Sequence, residues 1–75
     1  MPSIAERLLE ERARLGMTQP AVADACRVTI RTQRNYESGE RSPDALYLAA
    51  FAAVGGDVRY VITGSRDYTP PPPKP

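Results

Sequence analysis

The chain has 75 residues, a formal net charge of +1, 41% apolar and 25% charged residues, one cysteine, and neither histidine nor tryptophan. That length admits one small domain, in which folding buries roughly 60% of the unfolded surface, and it excludes a second independent one. Cys26 alone closes no intramolecular disulfide and, with no histidine to join it, completes no structural zinc site, so a reducing cytoplasm is the expected setting.

Ser3 to Glu6 reads as a capping box, with the Ser oxygen and the Glu carboxylate each taking an orphan backbone N–H, so a first helix is predicted from about Ile4. Ile4, Leu8, Leu9 and Leu15 recur near helical spacing, and Gly16 suits a left-handed stop after Leu15. Charged Glu6, Arg7, Glu10 and Glu11 stand where a signal peptide would need an apolar run, so no targeting segment and no membrane span are expected.

Thr18 is an N-cap and Pro20 falls in the first turn of a second helix, predicted from about Gln19 to Cys26. Its apolar residues, Ala21, Val22, Ala23, Ala25 and Cys26, are small and suit a close helix crossing. Arg27 and Val28 leave only a sharp turn before Thr29 caps a third helix running to Ser38, which Gly39 ends.

Ser42 and Pro43 repeat the start signal, and Ala45 to Val54 is apolar on every side until Gly55 and Gly56. A largely buried fourth helix is expected, covered in part by a second subunit. Residues 57–63, DVRYVIT, read as a strand with Val58, Tyr60 and Ile62 on one side; with no second strand in the chain, it would pair with its counterpart in another copy. A short final helical turn ending at Gly64 is the competing reading.

From Ser65 onward, SRDYTPPPPKP has little apolar surface and a proline run, which reads as a polyproline-like tail or linker with peptide docking as a further role. The expected division is therefore a domain over residues 1–64 and a tail over residues 65–75.

The segment from Arg27 to Pro43, RVTIRTQRNYESGERSP, holds Arg27, Arg31, Arg34 and Arg41, and its first ten residues contain no acid. A short helix, a sharp turn and a second helix bearing outward Thr, Arg, Gln and Asn is what reading the DNA major groove physically requires. Enzyme chemistry is not expected: there is no histidine, no glycine-rich phosphate loop and no carboxylate cluster outside charged helix faces, and no cofactor, metal or small-molecule ligand is implied.

At this point MTQPAVADACRVTIRTQRNYESGERSP resembles the helix-turn-helix of the Cro and repressor family of temperate phages and bacteria, and DALYLAAFAAVGGDVRYVITG resembles its phage-type members. The likeness spans roughly residues 4–64 and is most specific at Gln19, at Ala23 and in NYESGERSP. It implies an all-α, lambda-repressor-like bundle of four to five short helices, with the C-terminal strand used in dimerisation.

The resemblance also implies roles. Gln19 would meet a DNA phosphate. Thr29, Ile30, Arg31 and Asn35 would reach base edges, Arg31 with two bonds to guanine, Asn35 to adenine and Ile30 on a thymine methyl, unless Ile30 packs against the turn. Arg34, Ser38 and Arg41 would hold phosphates, and Arg12 and Glu37 would form a partly buried ion pair. Tyr36 is expected inward with Val22 and Leu46, and Cys26 as a small buried hydrophobe.

The family pattern is broken at Arg27, which stands where glycine is usual, and at Gln33, which stands where a β-branched core residue is usual and needs a buried partner. The function implied is a dimeric transcriptional regulator, most simply a repressor, on a near-palindromic operator in double-stranded DNA. The alternative is an interaction or antitoxin-like module on the same fold without independent DNA reading, distinguished by whether the Arg31 face stays open.

Overall fold

The computed structural model describes residues 2–66, and within them lie five helices: α1 (Ile4–Arg14), α2 (Gln19–Ala25), α3 (Ile30–Ser38), α4 (Ala45–Ala53) and α5 (Val58–Thr63). Each starts at a short polar side chain that replaces a missing backbone acceptor. Ser3 Oγ accepts from the Glu6 N–H at 3.1 Å while Glu6 Oε1 accepts from the Ser3 N–H at 2.9 Å, a complete capping box. Thr18, Thr29, Asp44 and Asp57 take the N–H three residues on, at 3.2, 3.0, 2.8 and 3.0 Å.

Two of these starts differ from the sequence-based expectation. The α4 cap is Asp44 rather than Ser42, so Pro43 lies outside the helix; the cap falls two residues later than expected, its carboxylate accepting from the Tyr47 N–H. Residues 57–63 form no strand. Asp57 caps α5 and Gly64 closes it at φ 85°, so the segment satisfies its backbone internally and needs no second copy. Val58, Tyr60 and Ile62 accordingly share no face: Val58 and Tyr60 are half-buried, Ile62 is 40% exposed, and Val61, which alternation would have turned outward, is fully buried.

Leu8, Val22, Cys26, Tyr36, Tyr47, Phe51 and Val61 make the core. The Tyr36 and Tyr47 rings meet edge to face at 4.8 Å, and Tyr47 lies nearly parallel to Phe51 at 6.0 Å. Helix α1 packs on α3 and α5, α2 on α3 and α4, and α4 on α5. Helix α4 is less covered than its composition suggests: Tyr47 and Phe51 point inward, whereas Ala45, Ala49, Ala52 and Ala53 are exposed, and Leu46, expected beside Tyr36, is 84% exposed.

Helix α5 is held to α1 by charged groups. The buried Arg7 donates from Nε to the Val61 carbonyl at 3.0 Å and from Nη2 to the Ile62 carbonyl at 3.2 Å, occupying acceptors left open at the α5 C-terminus, and Nη1 reaches the Pro2 carbonyl. Glu11, fully buried, accepts from the Asp57 N–H at 2.9 Å and from Arg14 Nε at 2.9 Å, and pairs with Arg66. Arg66 also lies 3.8 Å over the Tyr60 ring, so the first two residues of the expected tail are engaged with the domain; residues 67–75, with the proline run, lie outside the described residues.

A β-carbon on Gly56 would lie 2.2–2.8 Å from the Phe51 ring, which the core holds in place. Gly56→Ala is therefore expected to cost about 1 to 3 kcal/mol, measured by urea unfolding. Burial alone would raise the Glu11 pKa, but the bonds from Arg14, Arg66 and the Asp57 N–H outweigh it and bring it down to about 2. A depressed carboxylate contributes stability above its unfolded value and loses it as pH falls through the folded one, so about 3 kcal/mol should disappear between about pH 4.5 and pH 2. Denaturant titrations across that range should show a shallower slope for Glu11→Gln, itself less stable at neutral pH.

Candidate nucleic-acid interface

The turn between α2 and α3 is built by backbone bonds around one left-handed residue. The Val28 N–H donates to the Ala23 carbonyl at 2.9 Å and the Arg27 N–H to the Asp24 carbonyl at 3.2 Å, while Arg27 sits at φ 60°. This is the Schellman closure, in which glycine is favoured; an arginine there costs on the order of 1 kcal/mol. The half-buried Val28 then turns inward and Thr29 opens the next helix. Ala23, 1% exposed, lets α3 come close to α2.

Helix α3 has two unlike faces. Gln33, Tyr36 and Glu37 are buried. Arg31, Arg34 and Ser38 are exposed and Asn35 half-buried, and their i, i+3, i+4, i+7 spacing places them on one side. Thr29 is exposed at the entry, with its hydroxyl donating to that of Thr32 at 3.0 Å. Ile30 is 41% exposed, so it is not sealed against the turn. Ser38 Oγ donates to the Asn35 carbonyl at 3.2 Å, and the Arg41 N–H donates to the same oxygen at 3.3 Å, which brings the loop after α3 back to its end.

The structure thus gathers Thr29, Ile30, Arg31, Arg34, Asn35, Ser38 and Arg41 along α3 and its exit. Gln19 is different. Its Nε2 donates to Glu37 Oε1 at 3.1 Å, inside the fold. Val58, Tyr60 and Ile62 lie on α5, which packs on α1 and α4.

The ion pair expected between Arg12 and Glu37 is present and two-pronged, Arg12 Nε to Glu37 Oε2 at 2.7 Å and Arg12 Nη2 to Glu37 Oε1 at 3.0 Å, with side chains 17% and 3% exposed. Arg12 Nη1 also donates to the Met17 carbonyl at 3.0 Å. Burial would raise the Glu37 pKa, but the bonds from Arg12, Gln33 and Gln19 reverse this and keep it below its ordinary value.

Gln33, anomalous by sequence, is fully buried and fully partnered: Nε2 donates to Glu37 Oε2 at 2.6 Å and Oε1 accepts from the Tyr47 hydroxyl at 2.6 Å. The sequence signal was the polar residue in a core position; its partner, fourteen residues on, had no local mark. Cys26 is buried, and burial raises its thiol pKa.

Charge is distributed unevenly over this surface. Arg27, Arg31, Arg34 and Arg41 form no salt bridge among the described residues. Glu6, Glu10, Glu11, Glu37, Asp44 and Asp57 are each occupied, by a cap, a cation or, for Glu10, the Tyr60 hydroxyl. Comparison with protein-family models gave no match. A comparison with curated proteins likewise gave none.

Removing Glu37 would leave Arg12 largely buried and unpaired. Glu37→Ala is expected to cost about 3 to 5 kcal/mol of unfolding free energy. Chemical denaturation at pH 7 measures it.

Proposed function

We propose that the chain is a sequence-specific DNA-binding transcriptional regulator of the Cro and repressor type, reading the major groove with α3. The observation that carries this reading is the α3 face itself: Arg31, Arg34, Asn35 and Ser38 turned outward from a helix that a tight turn presents beside α2. Arg31 offers two parallel donors suited to guanine O6 and N7, and Asn35 a donor and acceptor suited to adenine. Ile30 and Thr29, open at the helix entry, suit a thymine methyl and a base edge. Arg34, Ser38 and Arg41 suit phosphates, which set register and orientation without reading sequence.

A single short helix reads few base pairs, so the proposal includes a homodimer whose two α3 helices enter successive major grooves about 34 Å apart on a near-palindromic operator. The helical form of residues 57–63 removes strand pairing as its basis, and a two-fold operator would itself bring the two copies together. Occupancy of the operator would block polymerase, and the protein's concentration would set the response. Arg27, Arg31, Arg34 and Arg41, unpaired among the described residues, would supply the local field that a net charge of +1 conceals.

The rival reading is an interaction or antitoxin-like module on this fold. The exposed Leu46 and the alanine face of α4 favour it. Against it, the α3 face carries cations and amides rather than the apolar stripe that a partner helix would use.

Selection from random duplexes at physiological salt, with a high-salt control, tests the proposal: a preferred two-fold sequence is expected, and no enrichment over bulk DNA would overturn it. Within the enriched site, Arg31→Ala should cost roughly 1 to 3 kcal/mol and relax preference at one base pair, whereas Arg41→Ala should weaken all duplexes alike. Titrations of specific and random duplexes distinguish the two.

A further inference from the structure

We propose that Gln33 and Tyr47 are positioning residues for Gln19, acting through Glu37 to fix which way the Gln19 amide faces. The inference rests on the DNA-binding reading and adds to its phosphate contacts the half-buried Gln19, whose free N–H a buried chain would aim.

Direction is what makes the chain informative. Asparagine and glutamine amides can point either way, and the neighbouring donors and acceptors decide. Here an ionised carboxylate, which only accepts, sits at one end, and a phenol sits at the other. Glu37 takes Gln33 and Arg12 on Oε2 and Arg12 and Gln19 on Oε1, which fills its capacity of about four bonds.

Gln33 must therefore face Glu37 with its nitrogen and Tyr47 with its oxygen, and the Tyr47 hydroxyl must donate. Burial raises the Tyr47 pKa, so the phenol keeps its proton. Gln19, bonded to the same carboxylate, must likewise present Nε2 inward. One N–H of that nitrogen is used; the other is directed away from Glu37, and Gln19 is only half-buried. A phosphate oxygen is the acceptor it would meet on a duplex.

The usual apolar residue at position 33 would leave Glu37 gripped only by the Arg12 fork and Gln19, and the carboxylate could tilt about that fork. In this chain Tyr47 on α4 and Gln33 on α3 remove that freedom. No buried polar side-chain atom among the described residues is left without a partner.

The test pairs Gln33→Met with Tyr47→Phe, so that neither polar group is orphaned, in the wild-type and Gln19→Ala backgrounds. Side-chain amide NMR is read without DNA, and affinity is measured for the selected duplex. The Gln19 proton bonded to Glu37 is expected downfield and slow to exchange in the wild type, and shifted towards the free-amide position in the double variant. Duplex affinity should fall about five-fold, the weight of one ordinary hydrogen bond, when Gln19 is present, and not at all in Gln19→Ala.

Unmoved Gln19 resonances, or equal losses of affinity in both backgrounds, would overturn the positioning role. Should the double variant fail to fold, Tyr47→Phe alone, which removes only the donor at the far end, is read by the same two measurements. A wild-type chain that holds the amide as described yet selects no duplex overturns the DNA reading, and with it the purpose assigned to this chain.

Discussion

The Glu37 carboxylate is the constraint on which the arrangement of α1, α2 and α3 depends. A buried charge is tolerated only when its hydrogen-bonding capacity is filled, and Glu37 is filled by Arg12 from α1, Gln19 from α2 and Gln33 from its own helix, with Tyr47 of α4 completing Gln33. Apolar contacts among Leu8, Val22, Tyr36 and Phe51 supply the bulk of the burial but are non-directional. The polar chain is not. A shift of α3 by a fraction of a turn would strand a charge, an amide and a phenol together, so the pose of the outward face of α3 is fixed by what lies behind it.

Helix α1 is correspondingly a strut rather than a simple amphipathic cover. Arg7 and Glu11 hold the two ends of α5 while Arg12 holds the end of α3, so three of its charged residues work inside the fold. In a domain this small, where apolar burial is limited, charged side chains that satisfy helix ends substitute for a larger core. Glu11 shows the cost of that solution: the attachment of α5 is tied to the ionisation of a group that acid removes.

The helix starts were legible at Ser3, Thr18 and Thr29, where the cap oxygen and the N–H that donates to it lie three residues apart and the chemistry is local. The sharp turn was legible too, since only Arg27 and Val28 separate two capped helices; the left-handed backbone at Arg27 was not a matter of spacing. At residues 42–44 three adjacent residues all suit a helix start, and the fold uses Asp44, whose carboxylate accepts from the Tyr47 N–H. At residues 57–63 β-branched and aromatic side chains argued for a strand, yet the segment is short and follows two glycines, and Arg7, more than fifty residues away, donates to its Val61 and Ile62 carbonyls. Propensity gave way to the Asp57 cap and the Gly64 stop, the competing reading of the sequence, joined by a tertiary contact from Arg7. At the candidate face, the outward residues of α3 follow from helical spacing, whereas the support of Gln33 by Tyr47 does not.

That balance explains how a nearly neutral chain can present a cationic surface. The net charge sums groups that do not act in the same place. Glu11 and Glu37 are buried with arginines of their own, and Glu6, Asp44 and Asp57 sit on helix N-termini, where backbone N–H groups already meet their charge. Setting those acids aside leaves Glu10, Asp24 and Glu40 as the other described anions, Glu10 meeting only the neutral Tyr60 hydroxyl, against Arg27, Arg31, Arg34 and Arg41 on the turn, on α3 and on its exit, and Arg59 on α5. Composition alone assigns every charge equal weight; the fold pairs Glu11 and Glu37 with arginines in its interior and leaves Arg27, Arg31, Arg34 and Arg41 without a salt bridge among the described residues.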